Sequence, residues 1–192
     1  MHARLRAATA DAHAALDARL RGALVSRERY GAFLRASHRA LEMLEAPLGR
    51  FPRLESSVGR RARLIERDLA ALRESTSPSP PGRSSVTLEL SSEGEAFGAA
   101  YVVEGSALGG LALAKGLGTA LGLDDATTRY LRDEGRETLP AWRSFLARLE
   151  AWNFAAPLGA EEQAVRGARA AFALYGAAFV DEGKLETAWK SP

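Results

Sequence analysis

The stretch Tyr101-Val102-Val103-Glu104-Gly105-Ser106-Ala107-Leu108-Gly109-Gly110 puts three glycines within six positions, inside a long helical pattern. An interior glycine costs a helix about 0.5–1 kcal/mol relative to alanine, so three cost about 2–3 kcal/mol. That is a large share of the net stability of a folded domain. Backbone left this bare serves one of two ends. Either another helix packs very closely against it, for which the Gly105-xxx-Gly109 spacing is suited, or a flat ligand lies on it. Both stand open at this point.

A second constellation favours the ligand. Arg6, His13 and Asp17 are spaced by seven and four residues, which sets them on neighbouring strips of one helix face. A basic anchor, an imidazole and a carboxylate one turn on make a haem-binding set. The imidazole ligates iron through Nε2, and its Nδ1–H needs an acceptor, supplied by Asp17 or by a water that Asp17 holds. Arg6 is a fork-shaped donor for a haem propionate. Of the other histidines, His2 is uninformative, and His38, between Arg35 and Arg39, is expected to be partly exposed. One His ligand and no cysteine give little support to a zinc or di-iron site.

With these residues in view, the chain resembles the haem oxygenases, most closely the bacterial branch found with bacteriophytochromes. Leu5-Arg6-Ala7-Ala8-Thr9-Ala10-Asp11-Ala12-His13-Ala14-Ala15-Leu16-Asp17 is similar to that family's proximal helix, and Tyr101–Gly110 to its distal helix, which kinks over the haem face. The two motifs lie about ninety residues apart, and the resemblance spans nearly the whole chain.

The resemblance implies an all-α, multi-helix bundle with a kinked, glycine-rich distal helix, in which haem b is both substrate and cofactor. It implies oxidative cleavage of haem to biliverdin, carbon monoxide and ferrous iron, with O2 and an external electron donor such as a ferredoxin or a reductase. His13 would be the proximal iron ligand and Arg6 a propionate partner. Gly105, Gly109 and Gly110 would let backbone approach haem and oxygen, Ser106 would hold ordered water, and Tyr101 either lines the pocket or packs. Arg169 matches a second propionate-binding base, with Arg166 competing for that role. Asp17 stands where many members have Glu, and Ser106 where many have Asp; the phytochrome-associated branch is similar to this chain in having Ser there. These departures keep open a non-degrading haem or biliverdin carrier on the same fold, and a helical interaction module without a tetrapyrrole is the remaining alternative. A bacteriophytochrome is a candidate partner.

Composition narrows the classes further. At 192 residues with 46% hydrophobic side chains, one domain over 1–192 is the natural reading. A formal charge of +2 and no basic run interleaved with aromatics argue against nucleic acid. The arginines at Arg60-Arg61-Arg63 and Arg27-Arg29 read as solvated helix faces. The absence of cysteine excludes disulfides, thiolate metal sites and a cysteine nucleophile, and with it the thiaminase-type chemistry found on a similar helical fold. No flavin or iron–sulfur motif is present, so electrons come from outside. The Gly/Ala/Leu stretch Phe97–Leu123 is long enough for a membrane span, but Glu104, Ser106 and Lys115 interrupt it, which points to a buried central helix. With no apolar leader at the N-terminus, the expectation is a cytoplasmic protein free of the membrane.

Helical periodicity dominates. It predicts helices over 3–21, from after Ser26 to near Pro47, and over 56–74. A mobile Pro/Ser loop follows over 75–92, with Val86–Leu90 as an extended connection. The distal helix should start near Glu93 and break at Gly122, where Asp124 or Asp125 caps a short helix. Two more helices are expected, over 139–151 and 160–183. Trp142, Phe145 and Trp152 form one stripe and Phe172, Tyr175 and Phe179 another, both read as core. Gly116-Leu117-Gly118-Thr119-Ala120-Leu121-Gly122 has its third glycine one residue late for a dinucleotide loop and no strand before it, so that reading is rejected.

Overall fold

A computed structural model describes residues 1–73, 88–134 and 136–181. Within them the backbone forms seven α-helices and no strand: α1 (His2–Ala8), α2 (Ala10–Ala23), α3 (Arg27–Gly49), α4 (Val58–Leu72), α5 (Glu93–Leu121), α6 (Thr138–Ala155) and α7 (Ala160–Asp181). The all-α fold is as expected.

Several boundaries follow from capping chemistry legible in the sequence. Ser26 and Ser92 are N-caps whose hydroxyls accept the amides of Arg29 and Glu95, opening α3 and α5. Gly122 closes α5 in the left-handed region at φ 61°. Asp124 then caps a single 3-10 turn over Asp125–Thr127 through a reciprocal bond with Thr127. Of the loop expected over 75–92, residues 75–87 lie outside the described ones. Its end is irregular, and the alternation of that segment buries Leu88 and Leu90 while Glu89 stays exposed.

The first helix departs from expectation. In place of one helix over 3–21 there are two, divided at Thr9. The Thr9 hydroxyl donates to the Leu5 carbonyl at 2.8 Å, a local bond that competes with the helix ladder and bends the chain. Arg169 of α7 takes the Ala8 carbonyl at this break, Nε to O 3.2 Å.

α5 is the spine of the bundle. It has the length and hydropathy of a membrane-crossing helix, yet α3, α6 and α7 pack around its first half. It passes through its glycines without interruption. The tightest helix approach lies elsewhere, between α5 and α7. A Cβ on Gly98 would coincide with the Ala164 carbonyl and lie 2.7 Å from the Ala168 nitrogen, and one on Gly167 would meet the Glu95 carbonyl. Gly94 against Ala160 and Gln163, followed by Gly98 against Ala164 and Ala168, shows that the two helices run in the same direction. The buried side of α3 (Tyr30, Leu34, Leu41, Leu44) and α4 (Ile65, Leu69) completes the core.

Candidate functional site

The glycines of α5 serve different purposes. A Cβ on Gly110 would stand 2.7 Å from the Leu131 carbonyl oxygen, so that position is bare to let the 128–134 segment approach. A Cβ on Gly105 would meet only the edge of the Trp142 ring, at 3.5 Å. A Cβ on Gly109 would meet nothing within 4 Å among the described residues. Gly109 is exposed, and so are Leu111, Ala112 and Gly116 beyond it, although all are apolar. From residue 111 to the end of α5, only Leu117 is buried. An apolar helix face of this kind, left uncovered along two turns, is what a hydrophobic ligand covers.

α7 reaches both α2 and the buried charges behind α5. Past its crossing with Gly98 it presents Phe172 to His13, ring centroids 6.0 Å apart and edge-on. Three residues further, Tyr175 is buried in the electrostatic reach of Glu104 and Arg61. The His13 side chain is 64% exposed, and its Nδ1 lies 3.1 Å from an Asp17 carboxylate oxygen. That contact fixes the ring and leaves Nε2 as the free nitrogen, the arrangement a metal-ligating imidazole requires. Asp17 reaches the imidazole directly, with no water needed between them.

Tyr101 is half-buried, its ring 5.4 Å from that of Trp142 and 5.8 Å from His2. Burial raises its phenol pKa, and the positive charge of Arg6 opposes the rise, so Arg6 faces the same corner. Trp142, read from the sequence as core, is partly buried, stacks on Phe145 and borders both Tyr101 and Gly105. Arg166 is ion-paired to Glu95 at 3.3 Å, away from this corner. Arg169 is tied to the α1–α2 junction, between Arg6 and His13 in the chain.

Behind Ser106 lies a buried polar cluster that the sequence did not disclose. The Ser106 hydroxyl donates to the Val103 carbonyl at 2.7 Å and accepts from Arg61 Nη2 at 3.1 Å. Arg61, expected on a solvated face, is 1% exposed. Its Nη1 is 3.5 Å from Asp133 Oδ1, and its guanidinium stacks on Tyr130 at 4.7 Å. Asp133 is buried at φ 51° and also pairs with Arg60. Burial works to lower the Arg61 pKa, but Tyr130, Tyr175 and Asp133 outweigh it and the net direction is up, so the guanidinium stays charged. Glu104, next to Gly105, is buried as well. It accepts the Ser57 amide at 2.9 Å and Arg136 at 2.7 Å, tying α5 to two loops. His38 is likewise more buried than expected, its two ring nitrogens 3.3 and 3.2 Å from Glu42 and Glu66.

A signal for Arg61 was present. Val58, Arg61, Ile65, Asp68 and Leu72 recur at 3–4-residue spacing on α4, so two charges occupy the apolar register. A charge in that register is buried and paired.

The family model for heme oxygenase matches residues 1–181, so the chain belongs to the haem oxygenase family. No curated protein matches it. The family binds or degrades haem, and the uncovered face of α5 together with the oriented His13 fits a flat, apolar, iron-bearing ligand.

Proposed function

We propose that the protein is a haem oxygenase of the type found with bacteriophytochromes, opening haem to biliverdin, carbon monoxide and ferrous iron with O2 and external electrons. The observation that supports this most directly is a contrast. His13 is held by Asp17 with Nε2 free, and a side chain on Gly109 of α5 would meet nothing within 4 Å among the described residues. Haem between them would cover both the exposed imidazole and the exposed apolar face.

In this reading His13 is the metal ligand, and Asp17 holds its tautomer and raises its basicity. Arg6 and Arg169 are the propionate partners. Arg169 is chosen over Arg166 because Arg166 is committed to Glu95, whereas Arg169 is anchored beside the helices that carry Arg6 and His13. Tyr101 and Trp142 wall one edge. Gly105 and Gly109 admit the porphyrin and a small gas ligand, and Gly110 lets the 128–134 segment close behind them. Haem supplies the redox chemistry, while the chain supplies orientation and exclusion of solvent. The chain has no cysteine and no flavin motif, so a ferredoxin or a reductase delivers the electrons.

A second reading, a haem or biliverdin carrier, is favoured by one observation: the Ser106 hydroxyl hydrogen is spent on the Val103 carbonyl. One experiment separates the two. Haemin is added to the purified protein, followed under air by ascorbate or by a ferredoxin with its reductase. A Soret band that decays into broad biliverdin absorption is the expected result. A Soret band that persists under both reductants indicates the carrier, and no Soret band at all removes the tetrapyrrole reading.

A further inference from the structure

A serine hydroxyl has one hydrogen and two lone pairs. At Ser106 the hydrogen goes to the Val103 carbonyl, and one lone pair takes the Arg61 Nη2–H. Only the second lone pair remains. A water at Ser106 therefore has to donate to it, and Ser106 behaves toward that water as an ionised carboxylate would, as an acceptor only. A serine free to rotate has no such fixed polarity. What removes the freedom is the Arg61 guanidinium, which is itself held from three sides.

Asp133 and Ser106 receive its two terminal nitrogens, and Tyr130 lies under its plane. Tyr175 and Asp133 add to the negative potential around it, and Arg60 shares Asp133. The cluster also has unspent capacity. Arg61 Nε, Asp133 Oδ2 and the Tyr175 hydroxyl are buried with no hydrogen-bond partner among the described residues, on α4, on the 128–134 segment and on α7. Unpartnered polar atoms converging from three elements are what a small enclosed water group satisfies.

We propose that Arg61 is a positioning residue for the distal face, fixing the Ser106 hydroxyl as a pure acceptor so that a water bound there points its remaining hydrogen away from Ser106, toward the face of Gly105 and Gly109. This rests on the haem reading of that face. Arg61 touches neither substrate nor oxygen; it acts through Ser106, and the water lodged around Arg61 Nε, Asp133 Oδ2 and Tyr175 supplies the next hydrogen bond behind it.

The test uses the full chain with haemin and reads the pH midpoint of the optical acid–alkaline transition, which a merely structural role would not move in a charge-dependent way. Removing a buried positive charge near the water makes the alkaline form harder to reach, so Arg61→Met should raise the midpoint by about one pH unit. Ser106→Ala frees the guanidinium to donate toward the alkaline form and should lower it. In the Arg61→Met background the Ser106→Ala shift should vanish, because the two act as a unit. Equal Ser106→Ala shifts in both backgrounds, or an unmoved midpoint in Arg61→Met, overturn the proposal. If Arg61→Met does not fold by circular dichroism, Arg61→Lys takes its place. Lysine keeps the charge at Asp133, so the midpoint should stay near wild type while the Ser106→Ala shift is lost; a retained shift overturns the proposal. No Soret band with wild-type protein overturns this proposal together with the haem reading, whereas a normal Soret band without coupling overturns this one alone.

Discussion

Gly98 of α5 and Ala164 of α7 approach so closely that a methyl on Gly98 would take the place of the Ala164 carbonyl, whereas a methyl on Gly109, eleven residues along the same helix, would enter open space. Close helix packing thus explains some of the bare positions on α5 and leaves others without a packing role. Close packing accounts for Gly98 and Gly110, whereas no close packing accounts for Gly109 and little for Gly105.

The contrast gives a pair of substitutions with opposite signs. Gly98→Ala forces two backbones apart and should cost at least about 3 kcal/mol, the upper range for overpacking. Gly109→Ala should raise stability by about 0.5–1 kcal/mol through helix propensity and lower haemin affinity in the same protein. Urea melts and haemin titrations on both variants measure this. A Gly109→Ala protein that is destabilised but binds haemin normally would return that glycine to a packing role.

His13→Ala should abolish the nitrogen-ligated Soret spectrum of the haemin complex while leaving the unfolding free energy from urea melts within about 0.5 kcal/mol of wild type, because the side chain is mostly solvated and surface substitutions cost little. Asp17→Ala should weaken haemin binding by about ten- to a hundredfold, as loss of an outer partner to a ligating histidine does. An unchanged spectrum in His13→Ala would take the imidazole out of the site.

Much of this architecture was legible because it rests on local chemistry. Ser26, Gly122 and Asp124 set helix ends by capping, and the His13–Asp17 spacing needs only helical geometry, whereas Arg6, expected on the same helix face, stands on α1 beyond the break at Thr9. What escaped depends on contacts distant in sequence. Thr9 divides the first helix through a single side-chain bond to Leu5 that helical periodicity does not register. Gly98 and Gly167 look unremarkable until α5 and α7 are laid side by side. Trp142 reads as core by its spacing and does pack against it, but its ring also borders Gly105 because α6 begins beside that stretch of α5. Arg61 was masked by its neighbours Arg60 and Arg63, which make a charged run out of three residues that face different ways.

Glu104 shows how a charge can stabilise an otherwise apolar helix. Its carboxylate is 2% exposed and holds the Ser57 amide and Arg136. Glu104→Ala strands both donors and should cost about 2–4 kcal/mol, between a lost charged hydrogen bond and a broken buried pair. Glu104→Gln, which keeps an acceptor oxygen, should cost less than half of that. Equal losses in the two variants, read from urea melts, would show that packing matters here and hydrogen bonding does not.

Asp68 supplies a pH dependence whose sign is fixed by its surroundings. The carboxylate is fully buried on α4 and accepts the amides of Arg129 and Tyr130 at 3.0 and 2.8 Å. Burial nevertheless dominates and pushes its pKa up to about 6, against the pull of those amides and of Arg129. The folded protein therefore binds this proton more tightly than the unfolded chain does. The stabilisation from protonation is complete below about pH 4 and is lost as the pH rises through about 6. The difference of about two pH units corresponds to about 2–3 kcal/mol. Asp68→Asn removes this contribution, so the stability of wild type relative to the variant should rise as the pH is lowered from 7 to 4.5. Paired urea melts across that range measure it. A wild-type-minus-variant difference that stays flat or falls on acidification would mean that the two amides and Arg129, not burial, govern this carboxylate.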